Sequence, residues 1–194
     1  MACHLGGKLR VSGKRTGPSM EKRELTGSVR DKVLEALERT GHLVNLVPAE
    51  KLEWRPATDV VFSRPPTDLG HLLGHLLDCA AGFCAVLHAA YPSQLKDFTE
   101  LRGLGVNHLC QPADAARRLE QYSQCIARGF EICTDEDLGR KLPTVFEPGG
   151  ERLLTLLLGN LEHLLNHKHQ LFFYLKLLGV RVQSADLYRF RGDQ

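Results

Sequence analysis

At 194 residues the chain is long enough for one domain with a sizeable buried core. Its 43% hydrophobic and 25% charged content is ordinary for a soluble globular protein, and abundant leucine with few aromatics and few β-branched runs favours helix over sheet. The net charge of +2 divides into a basic start (Lys8, Arg10, Lys14 and Arg15, with no acid in residues 1–19) and a remainder of 21 bases against 23 acids, which argues against a nucleic-acid-binding face.

Residues 1–27 read as a basic, glycine-containing tail without hydrophobic period. Two readings of it stay open: a disordered segment, or an upstream extension of a chain whose natural start is Met20. No apolar run has the length expected of a signal peptide or a membrane span, so a cytoplasmic protein is expected, with no membrane partner. The six cysteines, Cys3, Cys79, Cys84, Cys110, Cys125 and Cys133, form no CxxC pair, which excludes zinc-finger and thioredoxin-type readings. They are expected to be reduced and to act as small buried hydrophobes.

Four segments carry helical periodicity. The first spans about 29–46, with Val33, Leu34, Leu37, Leu43, Val44 and Leu46 at helical spacings, and Pro48 stops it. An extended connection containing Pro56, Pro65 and Pro66 follows. The second helix starts after Pro66, with Thr67 or Asp68 as cap, and runs to about residue 90. A loop with Gly103, Gly105 and Pro112 precedes the third, about 113–132, whose apolar face is Ala116, Leu119, Tyr122, Ile126 and Phe130. Residues 134–150 read as a loop. The fourth helix covers about 151–178, with Gly179 placed as its left-handed C-terminal residue. The expectation is all-α: a four-helix bundle over 28–180, with long connections, and a tail 181–194 docked through Leu187, Tyr188 and Phe190.

Histidine placement carries the functional signal. His163 and His167 are four apart on the fourth helix, so their rings stack on one face and can offer two nitrogens to one cation. His71 and His75 repeat that spacing on the second helix, whereas His169 must point nearly the opposite way. Such a pair also recurs by chance, and imidazoles buried beside Leu161, Leu164 and Leu165 could instead be satisfied by a hydrogen-bond network. No HExxH, Glu-x-x-His, P-loop, GxGxxG or GxSxG motif is present, which excludes the usual zinc-protease helix, di-iron bundles, nucleotide binding and serine hydrolysis.

The run from His163 through Asn166, His167, Lys168, His169, Gln170, Tyr174, Leu175 and Lys176 to Gly179 resembles the last helix of the DinB/YfiT-like superfamily. There the pattern is a histidine, three residues, a second histidine, then usually Arg-Gly-Gln, an apolar stretch and Tyr-Leu-Arg-x-x-Gly; Lys168-His169-Gln170 departs from it. Leu72-Leu73-Gly74-His75-Leu76-Leu77-Asp78 is similar to the family's motif on its second helix, and residues 46–56 to its link between the first two helices. The resemblance spans about 28–180 and implies a four-helix bundle, often a homodimer, whose metal is held by His75, His163 and His167. His71 departs from the pattern and is read as a non-ligand. Behind the ligands, His71, Asp78, Asn166 and Gln170 are candidate supporting groups, Asp78 because it could orient a ligand ring through its free N–H.

Three imidazoles leave open positions on a divalent metal, the catalytic rather than the structural arrangement, and suit zinc, nickel, iron or copper. The expected activity is a metal-dependent hydrolase, or a transferase using a low-molecular-weight thiol, acting on a small molecule. No general base can be named. The alternative is a non-catalytic metal-binding or dimerisation module, with Gly70 and Gly74 allowing a close helix neighbour.

Overall fold

In the computed structural model the described residues are 23–57, 66–98, 110–144 and 148–189. They form four long helices, α1 (Glu24–Asn45), α2 (Leu69–Ala90), α3 (Pro112–Ile132) and α4 (Leu153–Leu177), a two-residue hairpin, β1 (Lys141–Leu142) with β2 (Glu151–Arg152), and a short helix α5 (Ser184–Leu187). The expected N-terminal tail lies outside the described residues up to residue 22, as does Phe190 of the C-terminal tail.

Each helix end has a physical cause. The Asp68 side chain accepts from the His71 backbone N–H at 2.8 Å, and two further N–H groups at the start of α2 donate to Trp54 and Leu52 carbonyls. Pro112 begins α3, where its missing N–H costs nothing. At the end of α4, Gly179 sits at φ +79°, and its N–H donates to Lys176 while that of Val180 donates to Leu175, a complete Schellman closure.

The start of α1 lies earlier than the hydrophobic period suggests, at Glu24. Arg23 supplies no side-chain cap; instead the Asp135 carboxylate accepts from the Thr26 backbone N–H and hydroxyl, both at 2.8 Å, and from the Leu25 N–H. That cap is tertiary and leaves no local trace in the sequence.

Helix directions follow from residue pairs. Thr26 meets Asp135 just beyond α3, so α1 and α3 are antiparallel. Cys84 meets Tyr122 and Leu87 meets Gly129, so α2 and α3 run parallel. Thr67, before α2, receives the Tyr174 hydroxyl near the end of α4, and Gly82 faces Asn160, so α2 and α4 are antiparallel. Around the bundle the helices stand in the order α1, α3, α2, α4.

One core holds the bundle together, with Val33, Leu43, Leu73, Ala80, Phe83, Ile126, Leu157, Leu164 and Leu175 fully or almost fully inaccessible to solvent. α2 is buried over much of its circumference. By length and composition alone α2 could cross a membrane, contrary to the reading that no run approaches that length. Its apolar faces are covered by α3 and α4. The close neighbour at Gly70 is the 46–54 connection, whose Leu52 carbonyl accepts the Gly70 N–H at 2.8 Å.

The 134–150 loop carries more order than expected. A 3-10 turn, Asp137–Gly139, leads into the hairpin, and Gly150 closes it at φ +82°, where an added Cβ would lie 3.1 Å from the Leu142 carbonyl oxygen. Of the residues named for the C-terminal segment, Leu187 is buried and Tyr188 is 41% exposed, and α5 is tied to α1 by His42 and Asp186 at 2.7 Å.

Candidate metal centre

His75 stands in the second turn of α2, and His163 and His167 occupy successive turns of α4. Because the two helices are antiparallel neighbours, the three rings converge. His75 Nε2 lies 3.1 Å from His163 Nε2 and 3.0 Å from His167 Nε2, and ligand atoms of all three lie within 4.8 Å of one another. The ring planes are steeply inclined, between 67° and 88° pairwise, so the nitrogens meet edge to edge rather than stacking.

The rings sit at the rim of the bundle. His163 is exposed, while His75 and His167 are half-buried. Leu161 and Leu164 turn into the core, and the histidines, rotated away from them, face outward. The burial cost expected for these imidazoles is therefore smaller than their leucine neighbours suggested.

A hydrogen-bonded chain fixes the protonation of one of the three rings. The Tyr174 hydroxyl donates to the Thr67 carbonyl at 3.0 Å, and so accepts from Gln170 Nε2 at 3.1 Å. That orients the Gln170 amide oxygen towards His167 Nδ1, 3.0 Å away, which must carry the proton. His167 Nε2 is then bare and faces the other two rings. Tyr174 is itself held by the Trp54 ring, edge-on at 5.5 Å.

Electrostatics act in the same direction. Burial, followed by the neighbouring His167 and His163, lowers the His75 pKa. Burial also lowers that of His167, against the Gln170 hydrogen bond. Both shifts keep the rings neutral and their lone pairs available near pH 7.

The donor set fits a cation better than it fits itself. A neutral His75 can donate its Nε2 proton to one partner only, leaving the lone pair of the other without a donor. One cation would satisfy all three, and the 3.0 and 3.1 Å separations are close to the ~3.3 Å that tetrahedral zinc–nitrogen bonding requires.

The remaining sequence candidates fall in different places. Gln170 bonds His167 directly. Asp78 is half-buried on α2 and acts on His75 through its charge. His71 is half-buried one turn before His75 and lies outside the three-ring group. Asn166 is exposed, with no hydrogen bond to the three rings among the described residues. His169 turns away as its spacing implies: its ring bonds the Leu165 carbonyl at 2.7 Å and the Tyr188 hydroxyl at 2.9 Å.

Sequence reasoning passed over Lys168, Tyr174 and Trp54 as parts of the surroundings. Lys168 is buried, its Nζ donating to the Leu187 carbonyl at 2.8 Å, and burial pushes its pKa down to about 8. The signal was present: Lys168 follows Leu164 by four and precedes Leu171 by three, on the core stripe of α4.

No family model matches the chain, and no curated protein sequence matches it. Among solved structures it is similar to a DinB-like protein, YjoA, from Bacillus subtilis, at 17% identity and a TM-score of 0.58, covering 84% of this chain and 96% of that one. The chain thus has a DinB-like, all-α fold.

Proposed function

We propose that the protein is a metal-dependent enzyme in which His75, His163 and His167 hold one divalent cation, zinc, nickel or iron, and that it acts on a small molecule in the cytoplasm. The supporting observation is the convergence of three Nε2 atoms from two antiparallel helices at an exposed rim. The reaction is hydrolysis, or transfer of a low-molecular-weight thiol. A cation held there supplies Lewis acidity, which polarises a carbonyl or acidifies a bound nucleophile. The chain's residues do the rest: His167 is held in one tautomer by Gln170, Tyr174 anchors that pair to Thr67, and the exposed side of His163 admits the substrate.

The test is titration of the chelator-treated full chain with Zn2+, Ni2+ and Fe2+. Binding of one equivalent, lost in His75→Ala, His163→Ala and His167→Ala, is expected. The loaded protein is then assayed on activated esters and on thiol conjugates. Turnover of neither class removes the enzyme reading, and absence of stoichiometric binding removes the metal site.

A second reading, a metal-binding dimerisation module, is favoured by Leu158, Phe173 and Leu177, which are 47%, 59% and 66% exposed on the outer side of α4. Homodimerisation through that side is read by light scattering; a monomer at micromolar concentration rejects it.

A further inference from the structure

Cys84 on α2 and Cys125 on α3 lie away from the histidine cluster, and nothing proposed above uses them. Both are free and buried, and Cys125 lies on α3 between Tyr122 and Gly129, the two residues that meet α2 at Cys84 and Leu87, so the two cysteines share the parallel α2/α3 interface. The Cys84 Sγ also lies 3.7 Å from the Tyr122 carbonyl oxygen, one turn before Cys125, which fixes it over that turn of α3. One turn further along, the helices come closer still: a Cβ on Gly129 would stand 2.7 Å from Leu87 Cδ1. The two sulfurs thus occupy the tight part of the helix crossing.

Their surroundings are not alike. The Arg128 guanidinium hydrogen-bonds Cys125 and is itself held by Asp97 at 2.6 Å, an ion pair whose side chains are 51% and 48% exposed. A Cys84 thiol proton and a guanidinium both directed at Cys125 stabilise its thiolate and lower its pKa to about 7, while burial and the neighbouring Cys125 raise that of Cys84. The sulfur beside the Arg128 guanidinium is thus the one favoured as thiolate.

We propose that Cys84 and Cys125 form a hydroperoxide-oxidisable pair that closes into a disulfide between α2 and α3. The Cys125 thiolate attacks the terminal oxygen of the hydroperoxide; the S–O bond forms, the O–O bond breaks, and the alcohol (or water) departs with a proton. The Cys84 sulfur then attacks Cys125 Sγ; the S–S bond forms, the S–O bond breaks, and water leaves with the Cys84 proton. Two thiols lose two electrons and two protons, and the hydroperoxide is reduced to alcohol and water.

The test treats the reduced full chain with hydrogen peroxide, blocks remaining thiols by alkylation and maps the peptides by mass spectrometry. A Cys84–Cys125 linked peptide, lighter than its reduced components by two hydrogen atoms, should be the first oxidised product. In Cys84→Ala, Cys125 should instead accumulate as a sulfenic acid trapped by a 1,3-dione, and in Cys125→Ala both products should disappear. Mapping the unsubstituted protein decides the matter even if a variant fails to fold. Oxidation of Cys79, Cys110 or Cys133 ahead of this pair, or a pair still reduced at excess peroxide, overturns the proposal.

Discussion

His167 donates its Nδ1 proton to the amide oxygen of Gln170, 3.0 Å away and one turn along the same helix. That bond determines which nitrogen of His167 is bare, and its own geometry is set by Tyr174 and the Thr67 carbonyl. Replacing Gln170 by Leu removes the acceptor and frees the ring to rotate or change tautomer. Metal affinity is expected to fall about 10–100-fold while helix content is retained. Competition with a chelating dye measures it; an unchanged affinity would show that the ring is held by packing alone.

Metal removal gives a second readout. A cation that binds only the folded chain stabilises it by mass action, by about 2.7 kcal/mol at a hundredfold excess over Kd. For a chain of this length, that is a rise in Tm of roughly 5–10 °C. The rise should vanish in His163→Ala. His163 is exposed and contributes little to the core, so its removal should leave the metal-free Tm nearly unchanged. Scanning calorimetry with and without Zn2+ tests both halves.

Much of this site was legible before any coordinates. The i, i+4 pair on α4 is a face-sharing pattern, and the motif around His75 adds the third ring. Spacing alone could not choose between His71 and His75, because that choice depends on where α2 crosses α4. The outward position of the rings was equally hidden: leucines adjacent in sequence to His163 suggested burial, yet adjacent residues on a helix point about 100° apart. Local patterns also missed the hairpin, whose two-residue strands are too short for a period, and the start of α1, which Asp135 supplies from over a hundred residues away.

That Asp135 cap predicts a pH dependence. Backbone and hydroxyl donors of Thr26 hold the carboxylate's pKa below its ordinary value. A folded-state pKa that is depressed contributes stability above the unfolded value, about 3.9, and the contribution is lost as pH falls through the folded value. Asp135→Ala should therefore lower Tm by roughly 2–4 °C at pH 7, with the gap closing in acid. Thermal melts across pH 3–7 check it, and a gap that stays constant over that range contradicts the assignment.

Two helical glycines should respond to alanine with opposite signs. Gly159 lies on α4, exposed, with nothing within 4 Å of an added Cβ. Alanine there reduces the freedom of the unfolded chain and improves helix propensity, so Gly159→Ala should stabilise by about 0.5–1 kcal/mol. Gly129 enjoys the same propensity gain, but its Cβ would stand 2.7 Å from Leu87 Cδ1 and 3.1 Å from Leu87 Cβ. Rotating the Leu87 side chain relieves only the first of these contacts; the second is fixed by the α2 backbone, so the helices must part. Separating α2 from α3 at a close-packed crossing costs about 1–3 kcal/mol, which outweighs the propensity term. Gly129→Ala should thus destabilise the protein, and because Cys84 lies one turn before Leu87 on α2, it should also slow the Cys84–Cys125 cross-link. Denaturant titrations of the two variants fix the signs, and a Gly129→Ala protein as stable as the Gly159→Ala one would mean that the α2/α3 crossing is looser than this packing requires.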